Sequence, residues 1–248
     1  HEGQNTFIET TKKYAPRFVD VRAKDYVVFG DEKVQIEIAP KFQAKNVRVI
    51  VDGNEKTVTK RSGKYFCEED APAPGDYAYE VVADDVRTRA VIMVQPKFED
   101  LIAARVRFII EKQQCNKAGD PLDGAFLIYD NETKKQIYEE YYDHNAARER
   151  VGMGALVAYY LQTHKDPALE TAFARYIAFL KREIVDVDTG WVYNDVRHSN
   201  RWIRLFNFPW TAQTFLEIYR YTHDREDLRT TARIMLTFFG RTNKMIEM

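Results

Sequence analysis

Residues 160–182 read YLQTHKDPALETAFARYIAFLKR, and residues 219–241 read YRYTHDREDLRTTARIMLTFFGR. Each carries Thr-His, then an acid, then a leucine five residues past the histidine; His164 and His223 lie 59 residues apart. Each segment ends one apolar helix, turns, and starts a second helix that runs back. The acids in the turns and Pro167 are N-cap and N1 chemistry for that second helix, and the two histidines read as turn and C-cap residues. A helical hairpin with this spacing is too long for tetratricopeptide repeats, whose period is about 34. It suits helical hairpins joined by long loops. The apolar spacing predicts helices over 146–163, 167–184, 209–222 and 225–240. A further helix is predicted over 97–115, where Leu101, Val106 and Ile109 share one face.

Upstream the period changes. KVQIEIA alternates at Val34, Ile36 and Ile38. NVRVIVDGNEKTVTK alternates at Val47, Val49 and Val51 before a turn at Asp52-Gly53-Asn54. DYAYEVVADDVRTRAVIMV supplies two more strands around a turn near Asp84-Asp85. Alternation broken by short polar turns predicts an antiparallel sandwich of about seven strands over 17–95. Pro96 ends the last strand and helical spacing starts at Lys97. Two domains are expected, 1–95 and 96–248.

Hydrophobic residues make up 45% of the 248, enough for a core in each domain. Thirty-seven basic residues meet 38 acidic ones, a balance that gives no field for nucleic acid or an anionic membrane. No apolar run approaches about 18 residues, so no membrane span is expected. Cys67 and Cys115 fall in different expected domains and read as buried thiols. No cluster of cysteine and histidine suggests zinc, and no metal or cofactor is expected.

The stretch APGDYAYEVVAD resembles a strand-turn segment of the immunoglobulin-like sandwiches attached to carbohydrate-active enzymes. A sandwich followed by long helical hairpins resembles, over nearly the whole chain in architecture, the (α/α)6-toroid glycosidases and polysaccharide lyases. The sandwich-first order is similar to glycoside hydrolase family nine. The resemblance implies a fold class of all-β plus all-α. An N-terminal immunoglobulin-like β-sandwich (1–95) would be followed by α/α helical hairpins of an incomplete (α/α)6 toroid (96–248). A closed ring holds more hairpins than the two seen here. A fragment is therefore expected, one that meets the missing C-terminal part of the toroid or associates with itself. The resemblance further implies a polysaccharide or oligosaccharide substrate. It also implies a secreted or periplasmic protein whose leader is not in this sequence.

Applying the 59-residue offset sets residues 142–151 against 201–210, RWIRLFNFPW. Both segments lead into the first helix of a hairpin, and in the toroid reading both face one cleft. One loop brings Tyr142, Asp143, His144, Asn145 and Arg148. The other brings Arg201, Trp202, Arg204, Asn207 and Trp210. DTGWVYNDVRHSNRW between them adds Trp191, Tyr193, Asn194, Asp195 and His198. Aromatic faces stack on pyranose rings, amides and carboxylates pair with hydroxyls, and arginine takes a uronate carboxylate in bidentate fashion. The bland alternative is tryptophans in the core and charges in solvent. Gly152 and Gly154 just inside the helix let a neighbour approach closely.

In a hydrolase two carboxylates flank the scissile bond. The resemblance to family nine places Asp143 at the base position, although that family's Asp-Ala-Gly-Asp pattern is absent and its acid lies further along the toroid. Glu149 reads as a capping-box residue with Asn145 or Ala146. In a lyase a neutraliser holds the uronate carboxylate, a His or Tyr takes the C5 proton, and a Tyr protonates the leaving oxygen. His144, Asn145, Arg148 and Tyr141 or Tyr142 are residues of those types, with His198 and Tyr193 in reserve. Asp143 and His144 are therefore the expected catalytic residues, with hydrolysis ahead of elimination because the sandwich comes first. A non-catalytic carbohydrate-binding or scaffold protein is the remaining alternative. The long loops at 116–145 and 184–208 favour an enzyme, because loops of that length are costly unless they do something.

Overall fold

The computed structural model describes residues 17–137, 150–196, 198 and 204–246, with side chains through 241. The residues gather into two compact units that divide between Leu101 and Ile102.

The first unit contains nine strands among its described residues: β1 (Val19–Ala23), β2 (Val27–Phe29), β3 (Lys33–Pro40), β4 (Val47–Val51), β5 (Asn54–Lys56), β6 (Val58–Arg61), β7 (Lys64–Asp70), β8 (Gly75–Ala83) and β9 (Val86–Gln95). They form one sheet in the order β1-β3-β7-β6 and another in the order β2-β9-β8-β4-β5. Three two-residue turns set the registers. Val51 pairs with Asn54, Arg61 with Lys64 and Ala83 with Val86. In the first two turns both central residues have positive φ: Asp52 (48°) with Gly53 (77°), and Ser62 (49°) with Gly63 (80°). That is the primed-turn geometry whose twist matches the flanking strands. The alternating residues Val34, Ile36 and Ile38 of one sheet and Val49, Val81 and Ile92 of the other are buried in a single core. Fully buried Tyr79 donates its hydroxyl to Glu69 Oε1 at 2.7 Å, and Lys56 Nζ lies 2.6 Å from Glu69 Oε2. Residues of the five-stranded sheet thus satisfy a carboxylate of the four-stranded one. Burial pushes the Cys67 thiol up to about 11, and both cysteines are free.

Asp84, with φ 54°, accepts from the backbone N–H groups of Asn46 and Lys45 at 2.9 and 3.1 Å. Those donors hold its carboxyl below the ordinary value. A depressed folded-state pKa contributes stability that is present above the unfolded value, about 3.9, and is lost as pH falls through the folded one. Wild type should therefore exceed Asp84→Asn in urea stability at neutral pH and converge on it in acid. A gap that persists undiminished at the acid end would refute this linkage.

The second unit starts within helix α1 (Phe98–Phe108), which ends in a π-helical turn at Ile109–Gln113. A small sheet follows, β10 (Tyr129–Asp130) with β11 (Lys135–Gln136). Helix α2 (Val151–Leu161) and α3 (Pro167–Phe179) make the first hairpin, and α3 runs into a second π turn at Leu180–Ile184. Strands β12 (Val185–Asp186) and β13 (Trp191–Val192) pair before the second hairpin, α4 (Asn207–Thr222) and α5 (Arg225–Ile246). Asp166 caps α3 by accepting from Ala168 N and Leu169 N, with Pro167 at the first position. His223 closes α4 in the left-handed conformation, and its N–H donates to the Tyr219 carbonyl. His164 Nδ1 lies 3.1 Å from the Tyr160 carbonyl, and its ring stacks on Tyr160. Both histidines thus serve the turns. The core is aromatic: Phe126 stacks on Tyr176 at 4.0 Å, and Phe173, Phe179 and Phe215 are buried around them.

The expected fold class needs correction. An all-β immunoglobulin-like sandwich followed by all-α hairpins of an incomplete (α/α)6 toroid is not what forms. The chain is mixed, with 31% strand and 38% helix. β2 pairs in parallel with β9, so the β-rich part is not purely antiparallel. The helical part contains two sheets of its own, and no ring closes among its described residues. The physical reason lies in the connectors. Asp130 accepts from Glu132 N and Thr133 Oγ1. Asp186 accepts from Asp188 N and Thr189 N. Side-chain turns of this kind let a chain reverse and pair over two residues, too short a span for any hydrophobic period to register.

Candidate functional site

Helices α2 and α4 lie side by side. Thr214 Oγ1 donates to the Val151 carbonyl at 3.2 Å, and Gln162 Nε2 donates to Glu217 at 2.9 Å. These contacts advance together along both helices, so the two run in the same direction. Between their starts lies a cavity of about 400 Å³ lined by Val151, Gly152, Ala155, Trp210, Gln213 and Thr214. The repeat therefore does bring the two helix entrances together. Small residues open the space. At Gly154 an added Cβ would stand 2.2 Å from Tyr176 Cε1, so this glycine serves core packing against a ring. At Gly152 an added Cβ meets nothing within 4 Å, so this glycine keeps a surface open instead.

A second cavity of about 330 Å³ adjoins through Gly152. Its other lining residues include Arg105, Phe108, Gln113, Tyr129, Asn131 and Arg150. Phe108 and Tyr129 meet edge to face at 5.2 Å, and the Arg105 guanidinium lies 5.4 Å from the Phe108 ring centre. Arg105, Phe108, Gln113, Tyr129, Asn131, Arg150 and Gln213 are absent from the expected site. Arg150 had a visible signal, since it closes the charged run just before Gly152. Gln113, buried on a π turn, had none.

The expected site residues fare differently. Tyr142, Asp143, His144, Asn145, Arg148, Arg201 and Trp202 lie outside the described residues. Trp210 is 49% exposed and lines the first cavity, with Phe206 edge to face at 5.2 Å. Trp191 packs against the helical core, 5.6 Å from Phe208, under the Arg241 guanidinium at 4.1 Å. Asn207 is fully buried at the start of α4, and exposed Arg204 gives its carbonyl to the Asn207 N–H. Tyr193 stacks on His198 at 3.9 Å, and His198 Nε2 lies 3.8 Å from Glu183 Oε2. Asn194 and Asp195 are buried in the turn before His198, whose N–H donates to the Asp195 carbonyl. Neither Tyr193 nor His198 lines the two cavities. Among the described residues no cluster of three or more His, Cys, Asp or Glu could hold a metal. No helix there is long and apolar enough to cross a membrane.

No protein-family model and no curated protein matches the chain. Solved structures do. A polysaccharide lyase superposes with a TM-score of 0.76 at 26% identity, over 90% of this chain and 34% of its own length. A family 76 glycoside hydrolase from a bovine Bacteroides thetaiotaomicron strain gives 0.37 at 11% identity, over 87% of this chain and 49% of that one. Bacteroides ovatus GH9 gives 0.32 at 13%, over 92% and 54%. The last two likenesses are too loose to carry an argument. All three neighbours are carbohydrate-active enzymes, and the chain spans about a third of the lyase it resembles most clearly among them.

Proposed function

We propose that the chain is part of a carbohydrate-active enzyme that cleaves a uronate-containing polysaccharide by β-elimination. The observation that carries this reading is the likeness to a polysaccharide lyase along 90% of the chain. Two arginines and an exposed tryptophan around adjoining cavities at the start of α2 are consistent with an acidic sugar chain lying there. In this reading Arg148 and Asn145 neutralise the uronate carboxylate. His144 takes the proton from C5, the electron pair forms the C4–C5 double bond, and the C4–O bond breaks. Tyr142 gives its proton to the leaving oxygen. The substrate also implies a secreted or periplasmic setting.

The test is a panel of acidic polysaccharides. Cleavage should raise the ultraviolet absorbance of an unsaturated uronate product, and His144→Ala should lower that rate about 100-fold or more. New reducing ends without that absorbance would replace elimination with hydrolysis, for which Asp143 is the candidate base. No cleavage of any acidic polymer would overturn both.

A further inference from the structure

The cavity between α1 and the start of α2 is lined by a buried amide side chain that the elimination reading does not use. Gln113 is 5% exposed. Its Nε2 donates to the Leu127 carbonyl at 2.7 Å, which fixes the amide plane and turns Oε1 into the free acceptor. That Oε1 is buried and has no hydrogen-bond partner among the described residues. Buried acceptors in folded proteins are nearly always paired, because the desolvated oxygen otherwise loses its hydrogen bond to water. A hydroxyl or N–H donor on a bound ligand would supply that bond.

The surroundings specify that donor. Arg105, Arg150, Gly152 and Tyr129 line the same cavity, and the Tyr129 ring is braced edge to face by Phe108. Each guanidinium carries five N–H donors in a fixed fork, so it can take a carboxylate while keeping another contact. A planar carboxylate matches that fork with two parallel bonds. The cavity, about 330 Å³, lies at the lower end of the usual ligand range of about 300–1,000 Å³, room for one ring and not for a polymer. We propose that it is a subsite for a single carboxylate-bearing pyranose. The carboxylate meets Arg105 and Arg150, the ring lies against Tyr129, and one hydroxyl donates to Gln113 Oε1. Because the cavity adjoins the Trp210 cavity through Gly152, the bound residue would be one unit of a chain that continues across α2 and α4. This rests on the saccharide part of the proposed function and does not depend on the elimination chemistry.

The probes are methyl β-D-glucuronide, methyl β-D-glucoside and the 6-sulfate of the glucoside, titrated into the protein and followed by NMR. The glucuronide should bind about tenfold or more tightly than the glucoside. Arg105→Gln with Arg150→Gln should erase that preference, and Gln113→Leu should weaken both sugars. Should Gln113→Leu fail to fold, Gly152→Leu is the second variant. Its Cβ meets nothing within 4 Å, so the fold should stand while the new side chain fills the mouth and binding is lost. Equal binding of glucuronide and glucoside, equal binding of the sulfate, undiminished binding in Gly152→Leu, or no binding at all would overturn the subsite. Polysaccharide cleavage without glucuronide preference leaves elimination standing and removes the subsite; glucuronide binding without cleavage does the reverse.

Discussion

Gly190→Ala is expected to cost the helical unit about 2–5 kcal/mol, summing a steric part of about 1–3 and a backbone part of about 1–2. Gly190 sits in the turn between β12 and β13 with φ 71°, and its N–H donates to the Asp186 carbonyl at 2.8 Å. An added Cβ would stand 2.2 Å from the Arg233 carbonyl carbon and 2.4 Å from Ile234 N. Both are backbone atoms of α5, so no rotamer can relieve the clash. Arg233 Nη1 also donates to the Val187 carbonyl and Thr237 Oγ1 to the Thr189 carbonyl. The turn is therefore held against the helix and cannot lift away without losing those bonds. Gly119→Ala is the control. Its φ is 81°, but a Cβ there meets nothing within 4 Å, so only the backbone part remains. All three tryptophans lie after residue 190, so urea unfolding followed by tryptophan emission reports on the helical unit. Equal losses in the two variants would refute the steric account.

That turn also shows where sequence reading stops. The long helices were legible because the 59-residue offset, Pro167 and the turn acids are local signals, and each survives as a cap or a turn. The β strands were legible for the same reason, since alternation at Val34, Ile36 and Ile38 matches a one-sided burial. What was not legible is long-range. The parallel pairing of Val27 with Met93 joins strands more than sixty residues apart and leaves no local mark. The DVDTGW turn reads as loop, because two-residue strands have no period. The incomplete toroid was inferred from architecture alone, and the connectors form small sheets of their own.

The site divides along similar lines. The offset brought Trp210 beside Val151 and Gly152, which only a repeat could anticipate. It did not separate Trp210 from Trp191, since both are tryptophans near a helix entrance. Packing separates them: Trp191 faces Phe208 and the core, while Trp210 leaves half its surface in solvent. Arg105, Gln113 and Tyr129 come from segments that the offset does not touch. Gln113 matters because its Oε1 has no partner among the described residues, and a missing partner has no spelling in sequence.

A second large effect is expected at the joint between the hairpins. Asp227, 1% exposed in the first turn of α5, pairs with Lys181 Nζ at 2.6 Å. Thr222 Oγ1 donates to its other oxygen at 3.0 Å and in turn accepts from Asp224 N. Lys181 belongs to the π turn after α3, so this pair ties the first hairpin to the second. The two partners are not equivalent. Lys181 keeps about a third of its side chain in water and can swing out if Asp227 is removed. Asp227 has no such route. Lys181→Met should therefore cost about 3–5 kcal/mol, the range for a buried charge left without its partner, and Asp227→Leu somewhat less. Joining the two changes should recover much of the loss, because an apolar pair of similar volume avoids the desolvation of both charges. Urea unfolding of both single variants and the double variant closes the cycle. Losses that simply add would show that the two side chains act separately and that the joint is held by the surrounding apolar contacts alone.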